Sequence, residues 1–392
     1  TLEAIGPQLH QKDSYTKVTR INPAAPASLQ GDLKEGDLKL KVAQDGEEPV
    51  EIIDWKIDEA VKLIRGKKGT IVHLTVRKAD GTEEAVKITR DVVVLEETYA
   101  KSLVVSDQDG IRSGYIFLPS FYADFGNAMG RFSWKDVKVE VEKLRDEGVE
   151  GIIIDLRNNG GGSLDDVVKM AGLFIDEGPV VQIKEKGRRP HVMRDSRNGT
   201  EWDGALVIMV NEFSASASEI LAAAMQDYGR AVVIGSANTH GKGTVQRFLD
   251  LNQSIRNKQI PKLGHIKLTT QKFYRINGDA TQLKGVNSDV LLPDYYMYLE
   301  TGEKEHDHSM EWDQISGTDY FIYDSMIPAG VIDSSQSRVN SNSTFNLIEL
   351  NAQRWKAQRD NNVYQLGYSQ YDRKQDQNKE QEKQFKGLME QA

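Results

Sequence analysis

Three aliphatic runs without a polar interruption set the architecture of the middle of this chain: Ile152-Ile153-Ile154, Ala205 to Val210 and Ala231 to Ile234. Runs this short and this uniformly apolar predict strands buried on both faces, the pattern of parallel sheets covered by helices. Helical periodicity separates them. Asp136 to Glu147 carries Val137, Val141 and Leu144 at i, i+4, i+7. Leu164 to Phe174 turns Leu164, Val167, Val168, Ala171 and Leu173 inward, and beyond Ser216 one face is marked by Ile220, Leu221, Ala224 and Met225. Tyr115 to Leu118, stopped by Pro119, is a further buried-type strand. Strand and helix therefore alternate from 115 to 235, which predicts an α/β core.

A chain of 392 residues is too long for one ordinary core, so two or three domains are expected. The apolar share of 39% and charged share of 28% fit a soluble globular protein. A net charge of −9 argues against nucleic acid as a main partner, because phosphate binding needs a basic surface. No run reaches the roughly 18 apolar residues of a membrane span. The absence of cysteine excludes disulfides, thiolate nucleophiles and cysteine metal sites, and is compatible with an oxidising compartment. The first residue is Thr1, not Met, so a fragment or processed form is expected, with any signal peptide or lipid anchor outside it.

The first 97 residues predict a small β-rich domain. Tyr15 to Ile21 alternates at period two before Asn22-Pro23; Thr70 to Lys78 and Glu83 to Arg90 flank a turn at Lys78-Ala79-Asp80-Gly81. Asp58 to Ile64 is a short amphipathic helix stopped by Gly66 to Gly69. Beyond the core, His265 to Arg275 predicts a strand, Gly278 and Gly285 punctuate the return to Leu291-Leu292-Pro293, and Glu300 to His308 is a charged loop. Residues 180 to 203, including Lys184 to Pro190, predict a solvated hairpin, and a polar helical pattern begins at Leu347 and runs into Lys374 to Lys386.

Two loops carry the chemistry. The run from Asp155 to Gly162, DLRNNGGG, joins a strand to a helix, and its three glycines let backbone approach a ligand closely. It is neither a G-x-x-x-x-G-K-[ST] nor a G-x-G-x-x-G phosphate loop, and a tight strand-to-helix turn explains it equally well. The run from Ser214 to Glu219, SASASE, opens a helix, where serine is an ordinary cap but where free N–H groups and the positive dipole end also suit an oxyanion. A serine there needs a base. None of the seven histidines is spaced suggestively from an acid. Lys242, between Gly241 and Gly243 and beside apolar sequence, can serve if burial lowers its pKa, although most lysines lie on the surface.

The front of the chain resembles a PDZ domain in Ile5-Gly6, the PAAPA-x3-GDL-x2-GD run from Pro23 to Asp37 and the DEAVKLIRG helix from Asp58 to Gly66. The resemblance implies a peptide added as a strand beside the segment after the first glycine, its carboxylate held by backbone N–H groups of the loop Ala4, Ile5 and Gly6. Pro7 has no N–H, and Ala4 stands where glycine is common.

DLRNNGGG, SASASEI and GKGTVQ, in that order behind a PDZ-like front, resemble the C-terminal processing (tail-specific) serine proteases, periplasmic or thylakoid-lumen peptidases with a Ser–Lys pair. The likeness covers about residues 1 to 315. GYIFLPSFY and GLFIDEGPVVQI add to it. QKFYRINGDATQLKGVNSDVLLPD and ETGEKE-x6-WDQI point to the long tail-specific branch. By position the resemblance implies Ser216 as nucleophile, Lys242 as base, Gln246 supporting the lysine by a hydrogen bond, and the N–H groups of Gly162 and Ala217 as oxyanion donors. The usual segment before G-K-G is G-x-P-T-[FY]. Here Gly235 to His240 is one residue longer and carries a histidine in the aromatic place, so the loop must bulge for Lys242 to reach Ser216. His240 is expected in the pocket wall or on the surface.

The implied fold is α/β and multi-domain: a PDZ-like domain over 1–97, an α/β (crotonase/ClpP-like) serine protease core over 98–315 and a helical, polar C-terminal region over 316–392. The implied function is a serine endopeptidase that needs no metal or organic cofactor. It acts on proteins with apolar C-termini, with a possible adaptor protein, in the periplasm or envelope of a Gram-negative bacterium. The alternatives are a catalytically inactive scaffold on the same fold and an acyl-CoA hydratase-like enzyme. Retention of Ser216, Lys242 and Gln246 speaks against both.

Overall fold

The computed structural model describes residues 3–22, 25–30, 32–93, 96–124, 126–127, 130–254, 263–323, 326–364, 366–383 and 385. Pro23, Ala24 and Gly31 of the PDZ-like run, and Lys386 at the end of the polar tail, lie outside them. The chain divides into two compact units, Thr1–Thr98 and Tyr99–Ala392. No described helix is long and apolar enough to cross a membrane.

In the first unit the strands are β1 (Glu3–Ala4), β2 (Pro7–Lys12), β3 (Tyr15–Ile21), β4 (Leu38–Gln44), β5 (Val50–Glu51), β6 (Ile71–Arg77), β7 (Glu83–Thr89) and β8 (Asp91–Val92), with helices α1 (Pro26–Gln30) and α2 (Ile57–Ile64). An antiparallel sheet runs β2-β3-β4-β6-β7, with β5 on β4, and β1 pairs with β8. Alternation places Val18, Val72, Leu74, Val76, Val86 and Ile88 on one buried face. Ala60 and Ile64 of α2, four apart, close over it. Arg90, only 2% exposed, fixes the end of α2: its guanidinium donates to the carbonyls of Leu63, Ile64 and Ile71, to Thr70 Oγ1 and to Gln44 Oε1. A cation among helix C-terminal carbonyls satisfies groups that the helix leaves unpaired.

The second unit holds β9 (Lys101–Ser106), β10 (Arg112–Phe117), α3 (Ser133–Asp146), β11 (Gly151–Asp155), α4 (Leu164–Ala171), β12 (Gly178–Glu185), β13 (His191–Asp195), β14 (Ala205–Val210), α5 (Ala217–Asp227), β15 (Val232–Gly235), β16 (Thr244–Asp250), β17 (His265–Tyr274), β18 (Val290–Leu291), α6 (Val331–Ser341), α7 (Ser343–Asp360) and α8 (Tyr368–Lys383). One sheet runs β18-β15-β14-β11-β10-β9, parallel except for β9. A second, antiparallel sheet runs β13-β12-β17-β16.

Three expectations need correcting. The aliphatic runs are not equally buried on both faces. Ile152, Ile154, Leu206, Ile208, Val210 and Val233 are sealed in the main core, while Ile153, Val207, Met209, Val232 and Ile234 between them are only partly covered. The 180–203 region does form a hairpin, β12 with β13, but it is not solvated throughout. Val180, Val181, Gln182 and Ile183 are buried, because β12 is an inner strand paired to β17 on its other side. The C-terminal helices also start earlier than Leu347, with α6 at Val331.

Because the core strands are parallel, β11, β14 and β15 end at the same edge, and the loops leaving them come together there, where open α/β sheets bind ligands.

Candidate active site

The loop after β14 is tied to the loop after β11 by a series of hydrogen bonds. Asn211 Oδ1 accepts the Asn158 N–H at 2.9 Å and the Phe213 N–H at 3.1 Å, and its amide donates to Asn158 Oδ1 at 2.9 Å. The Ser214 hydroxyl donates to the Leu156 carbonyl and that of Ser218 to the Asn159 carbonyl, each at 2.8 Å. The Ala215 N–H donates to the same Asn159 carbonyl at 3.0 Å. Ser214 and Ser218 are fully buried, and their hydroxyls are used to hold this join together. Ser216, between them, is only partly buried.

Ser216 stands at the N-terminus of α5 with φ 58° and ψ −111°. A non-glycine residue at positive φ costs about 1–3 kcal/mol and persists only where its surroundings over-determine it. Here the Ser216 N–H donates to Glu219 Oε2 at 2.7 Å, the N3 half of a capping box.

Gly161, at φ +100°, lies directly against this turn: a Cβ there would come within 2.8 Å of Ser216 Cβ, 2.7 Å of the Ala215 oxygen and 3.0 Å of the Ala217 nitrogen. Gly162, at φ +147°, has the Phe121 oxygen where its Cβ would be, at 2.1 Å. Phe121 and Asn159 hold this pair, since the Phe121 N–H donates to the Gly161 carbonyl, the Ser163 N–H to the Phe121 carbonyl, and the Gly161 N–H to Asn159 Oδ1. The N–H groups of Gly162 and Ala217 donate to no acceptor among the described residues. Free donors at a helix start are what an oxyanion requires.

Lys242 leaves the end of β15 by the longer loop. In its first part the Ser288 hydroxyl donates to the Ser236 carbonyl at 2.7 Å, the Ser236 hydroxyl donates to the Asn238 carbonyl at 3.0 Å, and Asn238 bridges to Asn287. From Thr239 onward the chain is pinned again. Both glycines around Lys242 are demanded by close approach of 281–283. A Cβ on Gly241 would meet Leu283 backbone at 3.0 Å, and one on Gly243 the Gln282 nitrogen at 2.7 Å. The Leu283 N–H donates to the Gly241 carbonyl, the Gly243 N–H to Gln282 Oε1, and the Thr281 hydroxyl to the Lys242 carbonyl. Lys242 is partly buried. Burial, then the charge of Lys267, holds its amine below the ordinary lysine range, while Glu303 and Glu219 pull the other way.

One residue joins the two halves, and it carried no assigned role above. Glu219 is fully buried, and its carboxylate accepts four hydrogen bonds. The Ser216 N–H (2.7 Å) and Lys242 N–H (3.0 Å) reach Oε2, and the Thr239 hydroxyl and Gly241 N–H (each 2.7 Å) reach Oε1. The available signal was its place three residues after Ser216, the N3 position of a capping box.

Gln246 lies on β16 just past a register shift between Val245 and Gln246; its side chain is exposed and makes no hydrogen bond to Lys242 among the described residues. His240 is partly buried, its N–H donates to the Ser214 carbonyl at 3.0 Å, and its Nδ1 is buried without a partner. Burial lowers its pKa, with His306 and Lys242 acting in the same sense and Glu303 opposing.

In the first unit a cleft of about 310 Å³ runs between β2 and α2, lined by Ala4, Ile5, Gly6 and Leu9 on one side and Ile57, Val61 and Ile64 on the other. The outer edge of β2 has no strand partner among the described residues. The Ile5 and Gly6 carbonyls accept from Ala27 and Asn22, while the Ile5 and Gly6 N–H groups donate to no described acceptor.

Three family matches cover most of the chain: a PDZ domain over 3–77, peptidase family S41 over 112–292 and the C-terminal domain of tail specific protease over 296–392. A tail-specific protease of Haemophilus influenzae is 40% identical over 82% of this chain and 45% of its own length. A probable CtpA-like serine protease of Staphylococcus epidermidis is 32% identical over 77% of this chain and 57% of its own. Among solved structures, a photosystem II D1 C-terminal processing protease is similar at TM-score 0.43 and 24% identity, over 74% of this chain and 72% of that one. The chain thus spans about half the length of the curated relatives it matches.

Proposed function

The chain belongs to peptidase family S41, in its tail-specific branch, and from there we propose that it is a serine endopeptidase using Ser216 and Lys242, with substrates selected by their C-terminal tails. The observation that carries the reading is the Ser216 turn. A strained serine stands at a helix start against Gly161, the N–H groups of Gly162 and Ala217 are unclaimed among the described residues, and the Ser216 N–H shares the Glu219 carboxylate with the backbone N–H of a lysine of depressed pKa.

Lys242, neutral, takes the Ser216 proton as Oγ attacks a peptide carbonyl carbon. The carbonyl oxygen becomes the oxyanion that the Gly162 and Ala217 N–H groups receive, each worth about 3 kcal/mol in comparable sites. The lysinium passes its proton to the departing amine as the C–N bond breaks. Water, deprotonated by the same lysine, then attacks the acyl-enzyme and releases Ser216. Gln246, exposed and without a hydrogen bond to Lys242 among the described residues, is assigned the hydrogen bond that steadies the lysine amine on the family resemblance alone. In the first unit an apolar tail adds as a strand along β2, and the Ile5 and Gly6 N–H groups beside Ala4 hold its carboxylate. The working regions are 1–97 for tail binding, 98–315 for chemistry and 316–392 as a helical region, and the setting is the periplasm or cell envelope, with an adaptor protein as a possible partner.

The test is to incubate the protein and Ser216→Ala with a small folded substrate carrying an apolar tail. Cleavage by the first and not the second is expected; equal cleavage, or none by either, refutes the assignment.

A further inference from the structure

Both members of the proposed pair are bonded to one side chain. Glu219 accepts four hydrogen bonds, which is the full capacity of a carboxylate. One donor belongs to the nucleophile turn, and three belong to the stretch Thr239 to Lys242, at least 20 residues further along the chain. Thr239 Oγ1 already accepts the Val286 N–H at 2.8 Å, which directs its own hydrogen to Glu219. Around the carboxylate, therefore, every neighbour is a donor. Only the anion matches that surrounding, because a proton placed on either oxygen would face an N–H or O–H that is also donating.

We propose that Glu219 is the positioning residue of this site: ionised, its carboxylate holds the Ser216 turn and the Lys242 turn in one register, and protonation releases that hold. The inference rests on the Ser216–Lys242 assignment and extends it. The three donors to Glu219 from the lysine side, Thr239, Gly241 and Lys242, all lie past Ser236 to Asn238, so the segment entering the site is held on Glu219 downstream of that part of the loop. A role in tuning the base electrostatically is the wrong sign, since the negative charge of Glu219 favours lysinium and opposes a neutral Lys242.

The charged and titratable groups around the join are Lys242 itself, His240, Glu303 and His306, with Lys267 acting on Lys242 from β17. Against them, burial pushes the Glu219 carboxyl up to about 7, opposed by the four donated bonds. The release of the clamp therefore falls near neutrality and adds to the acid limb that the lysine already imposes.

The experiment uses the full chain and the variants Glu219→Gln, Thr239→Val and Thr239→Ser, with two readouts. One is amide hydrogen-exchange protection at Ser216, Gly241 and Lys242. The other is the pH profile of peptide cleavage. In the unaltered protein the three amides should be protected together and lose protection together as pH falls through 7. Thr239→Val, which keeps the charge and removes one donor, should lower protection at all three, cut kcat about tenfold with KM within about threefold, and move the acid limb to higher pH; Thr239→Ser should restore all of these. Glu219→Gln should cost kcat at least about a hundredfold and remove the Glu219 part of the limb. Independent exchange at the three amides, or an acid limb unmoved by Thr239→Val, overturns the proposal even if both variants lose thermal stability. Cleavage by Ser216→Ala equal to that of the parent, with protection still shared, refutes the peptidase assignment and leaves the clamp standing.

Discussion

Gly161 is a residue where the proposed chemistry depends on the lack of a side chain. Gly161→Ala puts a methyl group 2.8 Å from Ser216 Cβ and 3.0 Å from the Ala217 nitrogen, on a backbone at φ +100°. The expected outcome is a loss of about 10²–10³ in kcat, because the oxyanion donors shift, with tail affinity retained; steady-state kinetics beside a tail-peptide binding assay checks it. Lys242 sets a second expectation. Its pKa is depressed but the reaction needs the free amine, so kcat/KM should rise with pH and level off below the ordinary lysine range. A profile that rises only near the ordinary value would mean that Lys242 is not the base. Lys242 is named by the family resemblance of its motif, which on the glycine loop points to Gly162 and leaves Gly161 without a role. What Glu219 does could not be read from motif or spacing, because the donors to its carboxylate come mostly from a loop that no local pattern connects to it.

In the first unit, where tail binding is proposed, α2 and β4 carry the predictions. Arg90 holds the end of α2 through five hydrogen bonds, two of them to the terminal carbonyls of that helix. Arg90→Met should destabilise the unit by about 3–5 kcal/mol and weaken tail binding, since α2 forms one groove wall; denaturant unfolding and peptide titration read both. Lys39 on β4 is the opposite case: fully buried, its amine without a hydrogen-bond partner among the described residues, and pushed down to about 7 by burial against the nearby charge of Asp37. Between about 7 and 10.5 the unfolded chain keeps a proton on Lys39 that the folded one has lost, so stability should rise with pH across that window, with the cost of the buried ammonium felt in full below it and gone above it. Lys39→Met should raise stability at pH 6 and flatten that rise, by about 2 kcal/mol or more. Equal pH slopes for the two proteins would refute it. Period-two alternation in this unit located β3, β6 and β7 but not β4, and so gave no sign that a lysine would be sealed on it.

For the whole chain the central expectation couples binding in one unit to chemistry in the other. Amidating the C-terminus of a protein substrate removes the charge that the Ile5 and Gly6 N–H groups are proposed to hold. KM for that substrate should then rise about tenfold with kcat little changed, while hydrolysis of a short ester lacking a tail should be unaffected. An unchanged KM would place tail selection elsewhere.

The strands, the helices and the serine at a helix entrance follow from period, capping and composition, which act over a few residues and are written locally. The sheet order β18-β15-β14-β11-β10-β9, the burial of β12 and the approach of Gly161 to Ser216 do not. These come from contacts across tens of residues, where hydrogen-bond satisfaction and close packing choose among partners that the local pattern leaves equivalent. Glu219 combines both: its position three residues into a capping box is local, but the neighbourhood of donors that makes it a clamp exists only once β14 and β15 lie side by side and their loops meet.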